Sequence, residues 1–336
     1  MSGLPIFAQN EEGSKVNDFY FETRLAHETE AIDGHTIDGN TGFKGQYLNM
    51  RLDGQITEGL TFSYRQRLNK NTSATFFDAT DWIHLDWQAT DKLTLAAGKQ
   101  VVGIGGYEYD RAPIDLYYCS EFWGNIPCYQ LGASLAYDVM PDDRVMLQVC
   151  NSPFRTAAGN NTYGVNLMWY GTHGAWQTIW STNMFEYSPG KWINYIALGN
   201  KFTFSDQASL ELDLMNRAAS HQAFLFKDCS LMAELSITPT QAMRYFVKYT
   251  YDVNHSGTSA DLTVLNGSEL NLLSAGVEGA PIRKHRNQLR LFAVAGYSWG
   301  TNTSDCAYLA DKQLKVQAGI KFRLDVLEGI KKIINN

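Results

Sequence analysis

The sequence predicts an all-β chain: a single closed antiparallel transmembrane β-barrel of sixteen strands, with a long third loop folded into the lumen. Three observations lead there. Segments alternating apolar and polar residues recur along the whole chain, the mark of strands with two unlike faces. The breaks between them are by turns short and long, as in a membrane barrel. Charged residues keep to one face of each segment.

The alternation is plainest in LTFSYRQRLNK, residues 60–70. Leu60, Phe62, Tyr64 and Leu68 share one parity; Ser63, Arg65, Arg67 and Asn69 share the other. Gln66 sits on the apolar parity, which a place near the rim or against a neighbouring subunit would accommodate. The same division runs through Leu48, Met50 and Leu52, then Ile83, Leu85 and Trp87, then Leu131, Leu135 and Tyr137. Val165, Leu167 and Trp169 follow, then Leu210, Leu212 and Leu214, and Tyr245, Val247, Tyr249 and Tyr251. It ends with Leu314, Val316, Ile320, Phe322 and Leu324. Segments 175–186, 191–204 and 269–282 alternate poorly.

Seven short polar breaks separate paired segments: TEG (57–59), ATDK (89–92), MPDDR (140–144), GTHG (171–174), SDQ (205–207), TPTQ (238–241) and RKHRN (283–287). Their Gly, Pro, Asp, Asn and Thr are turn chemistry. Eight longer connections lie between them, near 28–42, 69–77, 102–128, 151–161, 187–191, 218–228, 253–268 and 299–310. Seven and eight breaks make sixteen strands, each long enough to cross a bilayer at the usual tilt.

With 336 residues the chain has the length of two soluble domains, yet no linker, charge run or compositional shift divides it. The expected plan is a signal-peptide remnant or flexible N-terminus at 1–17, the barrel at 18–324, and a tail or short amphipathic helix at 325–336. GLPIFA, residues 3–8 in the opening segment, reads as the tail of a secretory signal, so export is expected. Mean hydropathy is −0.28 although 13% of residues are aromatic. No apolar run approaches the ~18 residues of a membrane helix, which excludes a helical membrane protein and leaves a barrel open. A net charge of −7 argues against a nucleic-acid partner.

An arginine at the lipid midplane of a barrel costs about 2–4 kcal/mol, so the charged parity must face the lumen. Strands thirteen to sixteen and one to three then carry a basic wall of Arg244, Lys248, Arg290, Lys315, Lys321, Arg323, Arg24, Arg51, Arg65 and Arg67. Glu22 and Asp53 are the main acids expected among them. The facing arc presents Asp138, Glu211, Asp213 and Glu234, with Arg217 as an exception, while His84 and Asp86 face inward on strand four. Lys99 shares the parity of Leu93 and Leu95 and is left out of the wall.

The third loop, VGIGGYEYDRAPIDLYYCSEFWGNIPC, carries Glu108, Asp110, Asp115 and Glu121 against Arg111 alone. A loop this long inside a compact unit is functional or disordered. Its aromatic content points to the former, a constriction that sets acids opposite the basic wall and focuses a field across the gap. The five cysteines, at 119, 128, 150, 229 and 306, form no CxxC or Cys/His cluster, so neither metal nor cofactor is expected. Cys119 and Cys128, nine residues apart, are placed to form a disulfide or to stay as free thiols.

Sixteen strands, a long third loop and a basic wall resemble the 16-stranded porins of Gram-negative outer membranes. The stretch KLTLAAGKQVVGIGGYEYDRAP is similar to the strand-to-loop region of the phosphate-selective porin O/P family, in its Bacteroidota-type members. The resemblance implies a passive, homotrimeric, water-filled channel in outer-membrane lipid, passing small hydrophilic solutes and ions. The selective members carry a ladder of basic residues on this loop, whereas here it is acidic, which puts phosphate specificity in doubt. The wall outnumbers its local acids, so a weak anion preference is expected. A structural or partner-binding outer-membrane barrel without open conductance is the alternative. An enzyme is not expected: the Asn254–Gly257 stretch NHSG sets a His beside a Ser, but catalysis needs the pair in hydrogen-bond reach with a third, orienting group.

Overall fold

The chain was studied as a computed structural model that describes residues 14–70, 75–154, 161–219, 222, 227–282, 288–304 and 308–329. Sixteen long strands run β1 (Lys15–Ile32), β2 (Gly42–Thr57), β3 (Leu60–Arg67), β4 (Thr80–Gln88), β5 (Leu93–Val101), β6 (Tyr129–Met140), β7 (Asp143–Asn151) and β8 (Tyr163–His173). They continue as β9 (Trp176–Ser188), β10 (Lys191–Ser205), β11 (Ala208–Ala219), β12 (Cys229–Thr240), β13 (Met243–Asn254), β14 (Ser268–Gly279), β15 (Leu289–Thr301) and β16 (Gln313–Asp325). A two-residue strand, His35–Thr36, folds back antiparallel on the end of β1. Each long strand pairs antiparallel with its neighbours in sequence. β16 returns to β1, from Tyr20↔Asp325 to Ile32↔Gln313, and closes the sheet. A closed sheet has no edge and leaves no ladder group unpaired in lipid. Residues 326–329, beyond β16, are helical.

The outward parity is the predicted one. Ile83, Leu85, Trp87, Leu131, Leu135, Leu167, Val247 and Val316 are all exposed. The other parity buries polar side chains, among them Asn49, Arg65, Gln148, Asn166, Asn183 and Lys248. The first six short turns fall where expected, while RKHRN (283–287) lies outside the described residues, as does Cys306. One predicted long connection does not exist. β9 and β10 turn through Pro189 and Gly190 alone, with Ser188 facing Lys191, because Gly190 adopts φ 71° and makes a tight reversal possible.

One irregularity in register explains two odd residues, Gln66 and Asp81. Pairing shifts between Arg65 and Gln66, so that Arg65 faces Trp82 while Gln66 faces Thr80. The extra residue, Asp81, turns inward to Arg65 (3.4 Å) and Arg67 (3.3 Å). Gln66 keeps the outward parity but is buried, accepting from the hydroxyls of Tyr64 (2.9 Å) and Thr80 (2.7 Å). Lys99 also stays off the inner wall. It pairs with Ile83 and Leu131, and its ammonium donates to the Phe77 carbonyl (2.9 Å) below that ring.

Placing a charge on the outer face tests this orientation. Leu131→Arg is expected to lower the unfolding free energy of the vesicle-reconstituted barrel by about 2–4 kcal/mol in a urea titration. A loss within error of zero would mean that Leu131 does not meet lipid.

Candidate functional site

Residues 102–128 rest on inward-facing side chains from strand to strand. The glycine-rich start lies flat against β7 and β9: Gly103 N–H donates to Gln148 (2.7 Å), Gly105 N–H to Ser181 (2.8 Å) and Gly106 N–H to the Ile179 carbonyl (3.0 Å). A Cβ on Gly105 would come within 2.5 Å of that carbonyl, so no larger residue fits this approach.

Two short helices follow, and each is held at its N-terminus by a wall aspartate. For α1 (Tyr107–Asp110), Asp213 of β11 accepts from the backbone N–H groups of Tyr107 (2.9 Å) and Glu108 (2.8 Å). For α2 (Glu121–Asn125), Asp252 of β13 accepts from Glu121 N–H (2.8 Å) and Phe122 N–H (3.4 Å), while Ser120 caps Trp123 N–H (3.1 Å). A carboxylate there meets both the orphan donors and the positive end of the helix dipole.

Between and around the helices the loop's own charges meet the wall. Glu108 is buried against the Lys248 ammonium and accepts from Ser120. Arg111 donates to Glu234 (2.6 Å) and to Glu211. Asp115 meets Lys321, Arg24 donates to the carbonyls of Ile114 (3.0 Å) and Leu116 (2.7 Å), and the Tyr117 hydroxyl bonds Glu278. Glu121 accepts from Asn125 and from the backbone of Tyr308 and Leu309. Asp110 borders an open cavity.

The expected field between separated charges is therefore not what these residues make. Glu108 and Asp115 touch the wall lysines directly, and Glu121 is consumed by neighbouring loop backbone. Eight of the ten wall residues meet a carboxylate. Arg24 and Lys315 instead donate to loop carbonyls, Lys315 to Tyr308 (2.9 Å). Two of the wall's main partners escaped the sequence. Glu278, which meets Arg244, Arg290 and Lys321, lies on the poorly alternating β14. Asp81 has outward parity and faces inward only through the β3–β4 shift. Arg217, the exception on the facing arc, is fully buried and holds Asp261 of the 255–267 connection, whose carboxylate also accepts from Tyr195 (2.9 Å).

Two cavities flank the loop towards the short-turn rim. The first, about 550 Å³, is bordered by Arg51, Arg65, Arg111 and Arg144 against Asp86 and Asp110. The second, about 570 Å³, is bordered by Arg111, Lys201, Arg244, Arg290, Lys321 and Arg323 against Glu22, Asp115, Glu211 and Glu278. Basic groups outnumber acidic ones in both.

The profile of the family described as phosphate-selective porin O and P matches residues 24–180, just under half of the chain. Among solved structures, an anion-selective porin from Comamonas acidovorans superposes with a TM-score of 0.67 at 12% identity, over 93% of this chain and 100% of its own. A loop-deletion mutant of OmpT, an outer membrane protein of Vibrio cholerae, gives 0.62 at 12% over 93% and 100%. A mutant Rh. blastica porin gives 0.52 at 10% over the same shares. No curated protein matches the sequence. The chain has the fold of the outer-membrane porins and resembles the phosphate-selective porins O and P.

Family and fold point to a channel rather than an enzyme. Here His255 bonds Glu269 (3.3 Å) and Ser256 bonds Thr258 (3.3 Å), each turned to its own partner. The disulfide alternative also falls away. Cys119 and Cys128 are both free thiols, separated by the α2 turn docked on Asp252. Burial raises both thiols, that of Cys128 to about 11 and that of Cys119 further, with the Glu108 charge adding to the latter.

The buried Lys248–Glu108 pair supplies the test of loop docking. Lys248→Met leaves a buried carboxylate without its cation and is expected to cost about 3–5 kcal/mol in urea unfolding. Adding Glu108→Gln should recover much of that loss. Additive losses would mean that the two residues do not act as a pair.

Proposed function

We propose that the porin passes small hydrophilic solutes and ions passively through a water-filled channel, constricted where the 102–128 loop meets the basic wall, with a weak preference for anions. The observation that carries this reading is the basic excess in both cavities beside the loop. Low-dielectric walls focus the field of such an excess on whatever passes. The loop's bonds to inward side chains of β1, β11, β12, β13, β14 and β16 support its part as the constriction. Phosphate specificity is no part of the proposal, because the loop's one arginine, Arg111, is held between Glu211 and Glu234. The anion-selective porin among the solved neighbours is in keeping with the charge preference.

The assembly we propose is a homotrimer in outer-membrane lipid, exported by a signal peptide of which residues 1–17 hold the remnant, with 18–324 as the barrel and 325–336 as a tail. Vibrio cholerae OmpT, solved in a trimer form, supports the oligomer. One observation favours the alternative of a barrel without open conductance: Phe122, Phe185, Tyr195 and Val264 pack into an apolar cluster within the wall, each 0% exposed.

Purified porin in a planar bilayer under a KCl gradient is expected to give discrete conductance steps and a reversal potential of the sign set by anion excess. Absent steps would favour the closed barrel, and a cation-signed potential would remove the anion preference. Arg51→Gln with Arg290→Gln, whose side chains are 38% and 33% exposed, should move the potential towards cations. An unmoved potential would take both residues out of the permeation path.

A further inference from the structure

The 550 Å³ cavity has a wall that the passage of small inorganic ions does not need. Its β5–β8 side presents Ala96, Ala136, Met146, Met168 and Tyr170, and the loop adds Trp123. Methionine thioethers and aromatic rings form a soft, adaptable apolar surface. Such a surface gains nothing from a hydrated chloride or phosphate. The volume lies within the usual range of small-molecule sites.

The charged side of the same cavity is almost fully committed. Arg51 donates to Asp53 (2.6 Å), Arg111 to Glu211 and Glu234, and Arg144 lies 3.7 Å from Asp138. Arg65 differs. Its side chain is 3% exposed, and its Nε and Nη2 have no hydrogen-bond partner among the described residues. The carboxylates of Asp81 (3.4 Å) and Glu22 (3.6 Å) balance its charge from beyond good bonding geometry. The guanidinium carbon sits 4.9 Å from the Trp82 ring centroid. The Tyr109 hydroxyl, on a ring 7% exposed that borders the same cavity, also has no partner among the described residues. Buried donors left unmade are costly, which makes them receptive to an acceptor brought by a ligand.

We propose that this cavity binds an aromatic monocarboxylate, its carboxylate taken by Arg65 and its ring by the Met146, Met168 and Trp82 surfaces, with the Tyr109 hydroxyl as a second donor. Arg65 offers two unbonded donors, which suit the two oxygens of one carboxylate, while Asp86 and Asp110 on the border disfavour a more highly charged anion. The apolar wall sets the aromatic body apart from acetate. The site rests on the porin reading for how its ligand arrives, yet binding and conduction are measured separately.

The test is calorimetric titration of the folded porin in detergent with benzoate, acetate, benzyl alcohol and inorganic phosphate. Benzoate is expected to bind saturably and about tenfold or more tighter than each of the others, the size of one charged hydrogen bond or one buried ring. Arg65→Gln should remove about tenfold of that affinity. Tyr109→Phe keeps the ring and its packing, and should weaken benzoate measurably even where Arg65→Gln does not fold. Benzoate no better than acetate would overturn the apolar side. Benzoate no better than benzyl alcohol would overturn the role of Arg65, and tighter phosphate the ligand class. Conductance steps without benzoate binding would sink the site and leave the porin reading intact. Binding without conductance would do the reverse.

Discussion

The interior of this barrel depends on two aspartates. Asp213 and Asp252 project inward from β11 and β13 and accept from the free N–H groups of two short loop helices. Helices of four and five residues have no stability of their own, since nucleation costs more than so few bonds return. They exist because the wall completes their N-termini. Once these are fixed, the rest of the loop can bond only to particular partners: Glu108 to Lys248, Arg111 to Glu211 and Glu234, Tyr117 to Glu278. Each of those bonds commits a wall residue that would otherwise face water, so loop docking and lumen charge are one arrangement.

The outer face obeys a simpler constraint, and it is the part most legible in the sequence. Lipid admits apolar side chains and excludes arginine, so every well-alternating strand declares its orientation by itself. Strand number, turn placement and the outward residues follow from that contrast together with the turn–loop rhythm. The strands that resisted are instructive. β9 and β10 fail to alternate because their inner face is also apolar: Phe185, Ile193, Tyr195 and Ala197 lie beneath the loop. β14 fails in the same way, with Leu270 and Leu272 inward, while Asn271 and Glu269 on its outer side bond to the Tyr249 and Tyr251 hydroxyls. A covered inner face loses the polar half of the pattern, so weak alternation inside an otherwise clear barrel marks where something lies against the wall.

The site was legible in its members and not in their pairing. All ten wall residues are distributed on inward parities, and the loop's charges were identifiable by type. What parity cannot convey is which carboxylate each cation meets. Glu278 was hidden by the poor pattern of β14, and Asp81 by a single extra residue in the β3–β4 ladder, since one bulge reverses the face of all that follows it. Arg217 looked like an exception to an acidic arc, but it anchors Asp261 from another connection. Free charges were counted where paired ones stand.

That pairing changes what the lumen's charge can do. A buried ion pair contributes little net stability, because desolvation offsets most of its attraction, but breaking one partner leaves a costly lone charge. Most of the basic wall is therefore committed, to strand carboxylates and in part to the loop, and the selectivity proposed for the lumen rests on the small remainder. That remainder is the local excess of basic groups around the two cavities, plus the donors that find no acceptor among the described residues. Arg65 belongs to both groups: its charge is balanced at a distance by Asp81 and Glu22, while its Nε and Nη2 stay unbonded. On the proposed reading, a guanidinium so placed keeps its donors for the ligand whose shape lets it reach in. On that reading, weak general selectivity and sharp local recognition have the same origin, a wall whose charges are nearly all paired, a few with the loop and more with carboxylates of neighbouring strands.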